Sequence, residues 1–201
     1  MTNATVIRTR TIVSRQHTAT LLDGTEVDLP IGPACEHIDP VLTEDGTTLR
    51  YAVQDDSCRD YEWQEGVEFV QGNRSYLNYC TDPDGWIEDV SPDHDLYPVD
   101  VFEHGNILYS LSGEGPQCMF DTARGGACIA IPNEKHDNPF TNTREAAAAI
   151  LAEYSAWCNG DVYGIVEVTI DPATGEVVGD YDDVWGIIGW EYAEECLKNG
   201  Y

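Results

Sequence analysis

The chain has 201 residues, of which 42% are hydrophobic, and its 37 Asp and Glu against 10 Lys and Arg give a formal net charge of −27. This length and apolar content suffice for a core, which argues against a disordered acidic tail. The charge argues against direct binding to nucleic acids or anionic membranes, both of which select basic surfaces. No stretch reaches the ~18 apolar residues of a membrane span, and the first residues lack the apolar core of a signal peptide.

The first half of the chain is predicted to form short strands. Segment 1–22 has no acidic residue, so it is interpreted as a strand or hairpin lying on the acidic body. Its three basic residues are Arg8, Arg10 and Arg15. Asp23-Gly24 separates two alternating segments, which predicts a hairpin turn. Two further strands are expected at residues 47–53 and 67–71.

The second half gives clearer strand patterns. Residues 98–104 and 106–113 are predicted to form a hairpin, and residues 126–132 a short buried strand that ends at a proline. Another hairpin is expected at residues 161–181, around the turn Asp171-Pro172-Ala173-Thr174-Gly175. Four tryptophans lie on predicted elements and are expected in the core: Trp86, Trp157, Trp185 and Trp190.

A well-capped helix is predicted at about residues 142–158. Asn142 can cap it, Glu145 completes a capping box, and Gly160 ends it. Its apolar face is formed by Ala147, Ile150, Leu151, Tyr154 and Trp157. A second, short helix is expected near the end of the sequence, over residues 190–201.

These elements predict an α+β fold with a mostly antiparallel sheet built from hairpins. A single domain over residues 1–201 is expected, with two lobes that meet near residues 91–98 as the alternative. The seven cysteines are odd in number and form no CxxC pair, which favours reduced thiols in a cytosol over a secreted disulfide framework. They are Cys35, Cys58, Cys80, Cys118, Cys128, Cys158 and Cys196.

The segment around Asp84 resembles part of a calcium-binding loop. An EF-hand needs acidic ligands at positions 1, 3 and 5, Gly at position 6 and Glu at position 12. With Gly85 at the glycine position, Cys80 falls on the first ligand and Ser91 on the last, so both are missing. We therefore predict a turn at Asp82-Pro83-Asp84-Gly85 and no metal site.

Other catalytic patterns are weak. Cys35 and His37 could share a zinc ion, but no second closely spaced Cys/His pair follows. Ser112 lies near glycines without the spacing of a nucleophile elbow. Cys118 could pair in space with a histidine, for which the sequence offers His94, His104 and His136. We predict no catalytic residue, no cofactor and no enzymatic activity.

The densest run of acidic side chains lies between Asp84 and Gly105, where no Lys or Arg occurs. Its members are Asp84, Glu88, Asp89, Asp93, Asp95, Asp100 and Glu103. A second run consists of Asp180, Asp182 and Asp183. All ten side chains are predicted to be solvated and to form a partner-binding surface.

Four motifs of the second half carry a resemblance to a known group of proteins. They fall on Pro98–Gly105, Cys118–Ile131, Gly160–Gly164 and Trp185–Gly189. In these motifs the chain resembles a loose family of small acidic proteins encoded by tailed bacteriophages, except that Gly105 follows His104 where the family usually has Ser. The family has no agreed activity. The resemblance implies a phage gene product that acts in the cytoplasm of a bacterial host.

Acidity and this resemblance together suggest an inhibitor of a host defence protein, of the anti-CRISPR or anti-restriction type. DNA-binding proteins answer the charge of the duplex with Lys/Arg grooves, and a carboxylate surface can occupy such a groove. The expected partner is a basic nucleic-acid-binding host protein. The alternatives are an acidic or salt-adapted cytosolic protein with a different binding role, an unrecognised hydrolase with paired carboxylates, and a structural or assembly component.

Overall fold

The computed structural model describes residues 5–6, 18–21, 23–57, 60–72, 82–133 and 140–201. The strands are β1 (Thr5–Val6), β2 (Thr18–Thr20), β3 (Glu26–Asp28), β4 (Val41–Leu42), β5 (Thr48–Gln54), β6 (Glu68–Gln71), β7 (His94–His104), β8 (Asn106–Leu111), β9 (Thr122–Pro132), β10 (Val162–Thr169) and β11 (Asp182–Ile188). The helices are α1 (Pro83–Val90), α2 (Thr143–Cys158) and α3 (Trp190–Asn199). Each described strand pair is antiparallel, which confirms the predicted fold class.

The chain divides into two compact units. Unit 1 combines Met1–Arg59 with Gly160–Tyr201, and unit 2 is the continuous segment Asp60–Asn159. Residues 91–98, where the sequence offers a seam between lobes, lie inside unit 2, from the end of α1 into the first half of β7. None of the helices in the described ranges is long and apolar enough to cross a bilayer.

Unit 1 contains a five-stranded sheet in the order β1-β4-β5-β10-β11. Successive side chains of a strand point to opposite faces, so the buried run in β5 supplies both sides of this sheet. On one side, Tyr51 and Val53 pack with Val27 of the β2–β3 hairpin. On the other side, Ala52 packs with Leu197 of α3. The sheet is therefore apolar on both faces.

The β2–β3 hairpin forms where the sequence predicts it. Its turn places Gly24 at a φ of +91°, a left-handed conformation that favours glycine. The Leu21 N–H donates to the Thr25 carbonyl at 2.8 Å and closes the loop. Residues 1–4, 7–17 and 22 of the segment, which include its three arginines, lie outside the described residues.

Unit 2 contains a four-stranded sheet in the order β6-β9-β7-β8, covered by α2. The Asn142 side chain accepts hydrogen bonds from the Arg144 and Glu145 N–H groups at the start of α2, and Gly160 has a φ of +75° just after its end. The predicted helix is therefore confirmed. Of its predicted apolar face, Trp157 is half-buried and the other side chains are buried.

The predicted turn at residues 82–85 is wrong, because this segment begins α1. The Asp82 carboxylate accepts a hydrogen bond from the Gly85 N–H at 3.1 Å, so Asp82 is a helix N-cap. Pro83 occupies the first helical position, where its fixed φ suits a helix and no N–H is needed.

The predicted hairpin at residues 161–181 forms only in part. Its turn is present, with the Gly175 N–H donating to the Asp171 carbonyl at 2.7 Å, but the returning segment pairs only at the bridge Ile170↔Val177. The strand that pairs with β10 along its length is β11. The chain therefore places Asp182 and Asp183 on an edge strand.

Candidate functional site

Five of the predicted partner-binding carboxylates lie exposed along residues 84–95 of unit 2. We call this group the acidic ridge, and its members are Asp84, Glu88, Asp89, Asp93 and Asp95, all of them exposed. Asp84 and Glu88 stand four residues apart on α1 and therefore share one helix face. The Trp86 indole N–H donates to the Glu68 carboxylate at 3.1 Å and ties α1 to β6. The sequence prediction of a solvated surface is correct for these five residues.

A hydrogen-bonded chain fixes the strand end of the ridge. The Thr143 hydroxyl donates to the Asp95 carboxylate at 2.7 Å. Because the Thr143 proton is used there, the Tyr97 hydroxyl must donate to the Thr143 oxygen, 2.6 Å away. Asp95 thus joins β7 to the start of α2 while it stays exposed.

The prediction that Asp100 is a solvated contact residue is wrong, because its side chain is only 1% exposed. Four groups donate to its carboxylate. These are the Ser112 hydroxyl at 2.5 Å, the Gly113 N–H at 2.9 Å, the Gln117 amide at 2.9 Å and the Gly125 N–H at 2.8 Å. Burial favours the neutral acid, but the four donors outweigh it and hold the pKa of Asp100 below its ordinary value. Asp100 therefore links β7 to the loop that follows β8 and to Gly125 of β9.

Glu103 does not extend the acidic ridge. It lies eight residues beyond Asp95 on the same strand, which corresponds to roughly 26 Å at about 3.3 Å per residue. Its side chain is half-buried. The sequence run of seven acids is therefore divided in the structure into a ridge, a buried brace and a distant strand end.

The second predicted group, Asp180, Asp182 and Asp183, is exposed in unit 1. Asp182 and Asp183 begin β11, and Asp180 lies just before it. These carboxylates and the acidic ridge belong to different units. Each unit therefore carries an acidic group of its own.

Most cationic side chains in the described ranges are already paired with carboxylates of the same unit. Arg50 contacts Glu167, Arg144 contacts Glu114, and Lys198 contacts Glu194. The fourth cation in these ranges, Arg124, is exposed on β9. Acidic residues outnumber basic ones by 37 to 10 in the whole sequence, so the field of the chain is negative.

A separate polar network lies in unit 1, beside an open cavity of about 390 Å³ lined in part by Cys35 and His37. The Tyr163 hydroxyl donates to the Asp161 carboxylate at 2.5 Å. The His37 Nε2 atom lies 2.7 Å from the same hydroxyl oxygen and must donate to it, since the Tyr163 proton is used. In neutral His37 the unprotonated nitrogen is therefore Nδ1, which can accept a hydrogen bond.

This network lacks an activated nucleophile. Burial, followed by the charge of Asp161, raises the pKa of the Cys35 thiol to about 11, so the thiol stays protonated near neutral pH. Burial and Asp161 also raise the pKa of Tyr163. The network can at most polarise a water molecule through His37. In the part of the chain that the structure describes, no three His, Cys, Asp or Glu side chains are placed to hold a metal ion.

The proposed pairing of Cys118 with a histidine takes a different form. The Cys118 thiol donates to the Asp121 carboxylate at 3.3 Å, and His104 Nδ1 lies 3.2 Å from the same oxygen. Asp121, and not an imidazole, thus accepts the hydrogen bond of the thiol. Both ring nitrogens of His94 face backbone carbonyls, at 3.1 and 2.9 Å. His136 lies outside the described residues.

Two tryptophans contradict the expectation that they lie in the core. Trp185 is 41% exposed and Trp190 is 44% exposed, whereas Trp86 and Trp157 are half-buried. Tyr181 is 45% exposed beside the acidic group of unit 1. Trp185 lies on the edge strand β11 and Trp190 is the first residue of α3, and both positions leave part of a large side chain uncovered.

The five cysteines in the described ranges are free thiols: Cys35, Cys118, Cys128, Cys158 and Cys196.

Comparisons with known protein families, with curated proteins and with solved structures find no match to this chain.

Proposed function

We propose that this chain is a phage-encoded acidic inhibitor that binds a basic, nucleic-acid-binding defence protein in the cytoplasm of a bacterial host. The observation that carries the proposal is the acidic ridge, in which five exposed carboxylates follow one another from α1 to β7. The phage origin rests on the sequence resemblance. The proposal assigns no catalysis to the chain.

The negative charge of the ridge is complementary to the basic groove of a DNA-binding protein. Duplex DNA carries one negative charge per ~1.7 Å of its axis, and the proteins that bind it have grooves lined by Lys and Arg. A net charge of −27 steers such a partner toward the chain at low salt and keeps nucleic acids away from it. Inhibition then follows because ridge and DNA compete for one groove.

The ridge also has a defined shape. Its helical half is fixed through Trp86 and its strand half through Thr143, so the carboxylates are displayed by ordered elements. Preorganised groups lose less conformational entropy on binding than a flexible acidic tail does. This supports binding by a folded surface.

The test is competition between this chain and DNA. A partner captured from bacterial lysate at low salt is purified and bound to a fluorescent DNA duplex, and displacement of the duplex is followed by anisotropy. We expect displacement, with an apparent affinity that falls steeply between about 50 and 200 mM salt. A captured partner that still binds DNA normally in the saturated complex contradicts mimicry.

Matched variants locate the surface. Neutralising the ridge (D84N, E88Q, D89N, D93N and D95N together) should weaken displacement by about tenfold or more, since clustered charges act together. The control removes five other exposed carboxylates of unit 1, with the changes E26Q, D28N, E44Q, E176Q and E195Q. An equal loss in both variants would show that only net charge matters.

A further inference from the structure

The outer edge of β11 is open in the described part of the structure. β11 is the last strand of the unit 1 sheet and pairs with β10 alone. No described residue forms a strand ladder with its other side. An edge of this kind presents a row of backbone N–H and C=O groups that can template a further strand.

The side chains along this edge combine aromatic surface with carboxylates. Because side chains alternate along a strand, Asp183 and Trp185 share one face, and Asp182 and Val184 share the other. Val184 packs against the α3 side of the sheet. Trp185 lies so close over Gly164 of β10 that a methyl group there would overlap its ring. The indole is therefore held in place while 41% of the residue stays exposed.

The charge of the edge determines what can pair with it. In the described ranges, no cationic side chain bonds to Asp182 or Asp183. Arg50, two strands away, contacts Glu167 and the Leu197 carbonyl. A second copy of this chain would bring like charges face to face, which destabilises a strand pair. A strand with Arg or Lys side chains would instead meet carboxylates on both faces of the sheet.

We propose that the outer edge of β11 binds an extended, Arg- or Lys-rich segment of a partner protein as an added strand. Backbone hydrogen bonds would supply affinity and the carboxylates would select positive charge. The exposed rings of Trp185 and Tyr181 offer faces on which a guanidinium can stack. The inference relies on the proposed function only for the expectation that the partner is positively charged. The site itself is independent of the ridge, because β11 belongs to unit 1 and the ridge to unit 2.

The probe is a seven-residue peptide of alternating Arg and Val, equal in length to β11. Its binding to the full chain is followed by tryptophan fluorescence and calorimetry. Two further peptides carry N-methyl groups, one on every Arg and one on every Val. A strand that pairs along one side uses the N–H of every second residue only. One methylated peptide should therefore bind about tenfold or more weakly, and the other about as well as the parent.

Two variants of equal charge change locate the peptide. D182N/D183N should weaken binding about tenfold, whereas E62Q/E65Q, which removes two exposed carboxylates of unit 2 outside the ridge, should change it by less than about twofold. If both methylated peptides bind as well as the parent, or if both lose affinity equally, the proposal of strand addition is wrong. Equal effects of the two double variants would overturn the location on β11.

The outcomes separate this inference from the proposed function. If the peptide fails to add to β11 while the ridge variant alone loses competition with DNA, the inference fails and the proposed function stands. If the peptide adds to β11 while no partner competes with DNA, the proposed function fails and the cationic strand site stands.

Discussion

Replacing Asp100 by Asn should destabilise the fold, although the two side chains have nearly the same shape. Asn keeps one carbonyl oxygen, which can serve two of the four donors that surround the carboxylate. Its amide nitrogen then faces the remaining two donors. Of these, the Ser112 hydroxyl or the Gln117 amide can reorient, but the backbone N–H of Gly113 or Gly125 cannot.

The magnitude follows from these contacts. A buried N–H without an acceptor costs about 1–3 kcal/mol, and hydrogen bonds that lose their ionic acceptor are weakened by about 1 kcal/mol in total. We expect the D100N variant to lose about 2–4 kcal/mol of unfolding free energy near neutral pH. This is a large fraction of the 5–15 kcal/mol typical of a domain.

The assay is urea unfolding followed by fluorescence, with D95N as the matched control. Asp95 lies on the same strand, is exposed, and as Asn can still accept from Thr143. The control should therefore change the unfolding free energy by less than about 0.5 kcal/mol. Equal stability of D100N and D95N would refute the reasoning.

The pH dependence provides an independent check of the same idea. The folded-state pKa of Asp100 is lowered from 3.8, so its stabilisation is complete above that pH and is lost as the pH falls below it. The difference between wild type and D100N should therefore narrow in acid. A difference that stays constant from neutral pH to about pH 2 would show that the charge of Asp100 is not the cause.

Three further outcomes are expected. Raising salt from about 0.01 to 0.1 M should raise the melting temperature of a chain that is already folded, because the Debye length shortens from ~30 to ~10 Å; a chain that folds only in molar salt would favour salt adaptation. Gly164→Ala should cost about 1–3 kcal/mol and shift tryptophan emission, because the new methyl group overlaps Trp185; unchanged emission contradicts the packing. Millimolar calcium should act only as a screening ion, and a saturable calorimetric signal removed by Asp84→Asn would overturn that expectation.

The parts of the fold that the sequence predicted are those with local signals. Helix α2 has a cap at Asn142, an apolar face and a terminating glycine within one segment. The β2–β3 hairpin has its turn residues at Asp23-Gly24. The α1 helix also has a local signal, since Asp82 followed by Pro83 is a common N-cap and first-turn pair, but Asp, Pro and Gly in succession are equally typical of a turn.

The burial of Asp100 had no such signal. Its neighbours Val99 and Val101 face the α2 side of the sheet, so alternation places Asp100 on the other side, where a polar residue is ordinary. Its donors come from residues 12 to 25 positions later in the sequence. Asp100 is buried because the segments that carry these donors fold over its carboxylate, and the sequence near Asp100 does not show this. The exposed ridge was predictable because exposure is the usual state of Asp and Glu.

The division of the chain into units has a consequence for its synthesis. Unit 2 is continuous, whereas the sheet of unit 1 needs β5 to pair with β10, so this pairing waits until more than a hundred further residues have left the ribosome. Loop closure of that length makes the pairing slow. We expect unit 2 to fold first, because its residues are continuous in the chain and are inserted into the sequence of unit 1. The Asp55 N–H donates to the Val162 carbonyl at 2.9 Å, so the outgoing and returning strands lie side by side, and a short linker there could replace unit 2 entirely.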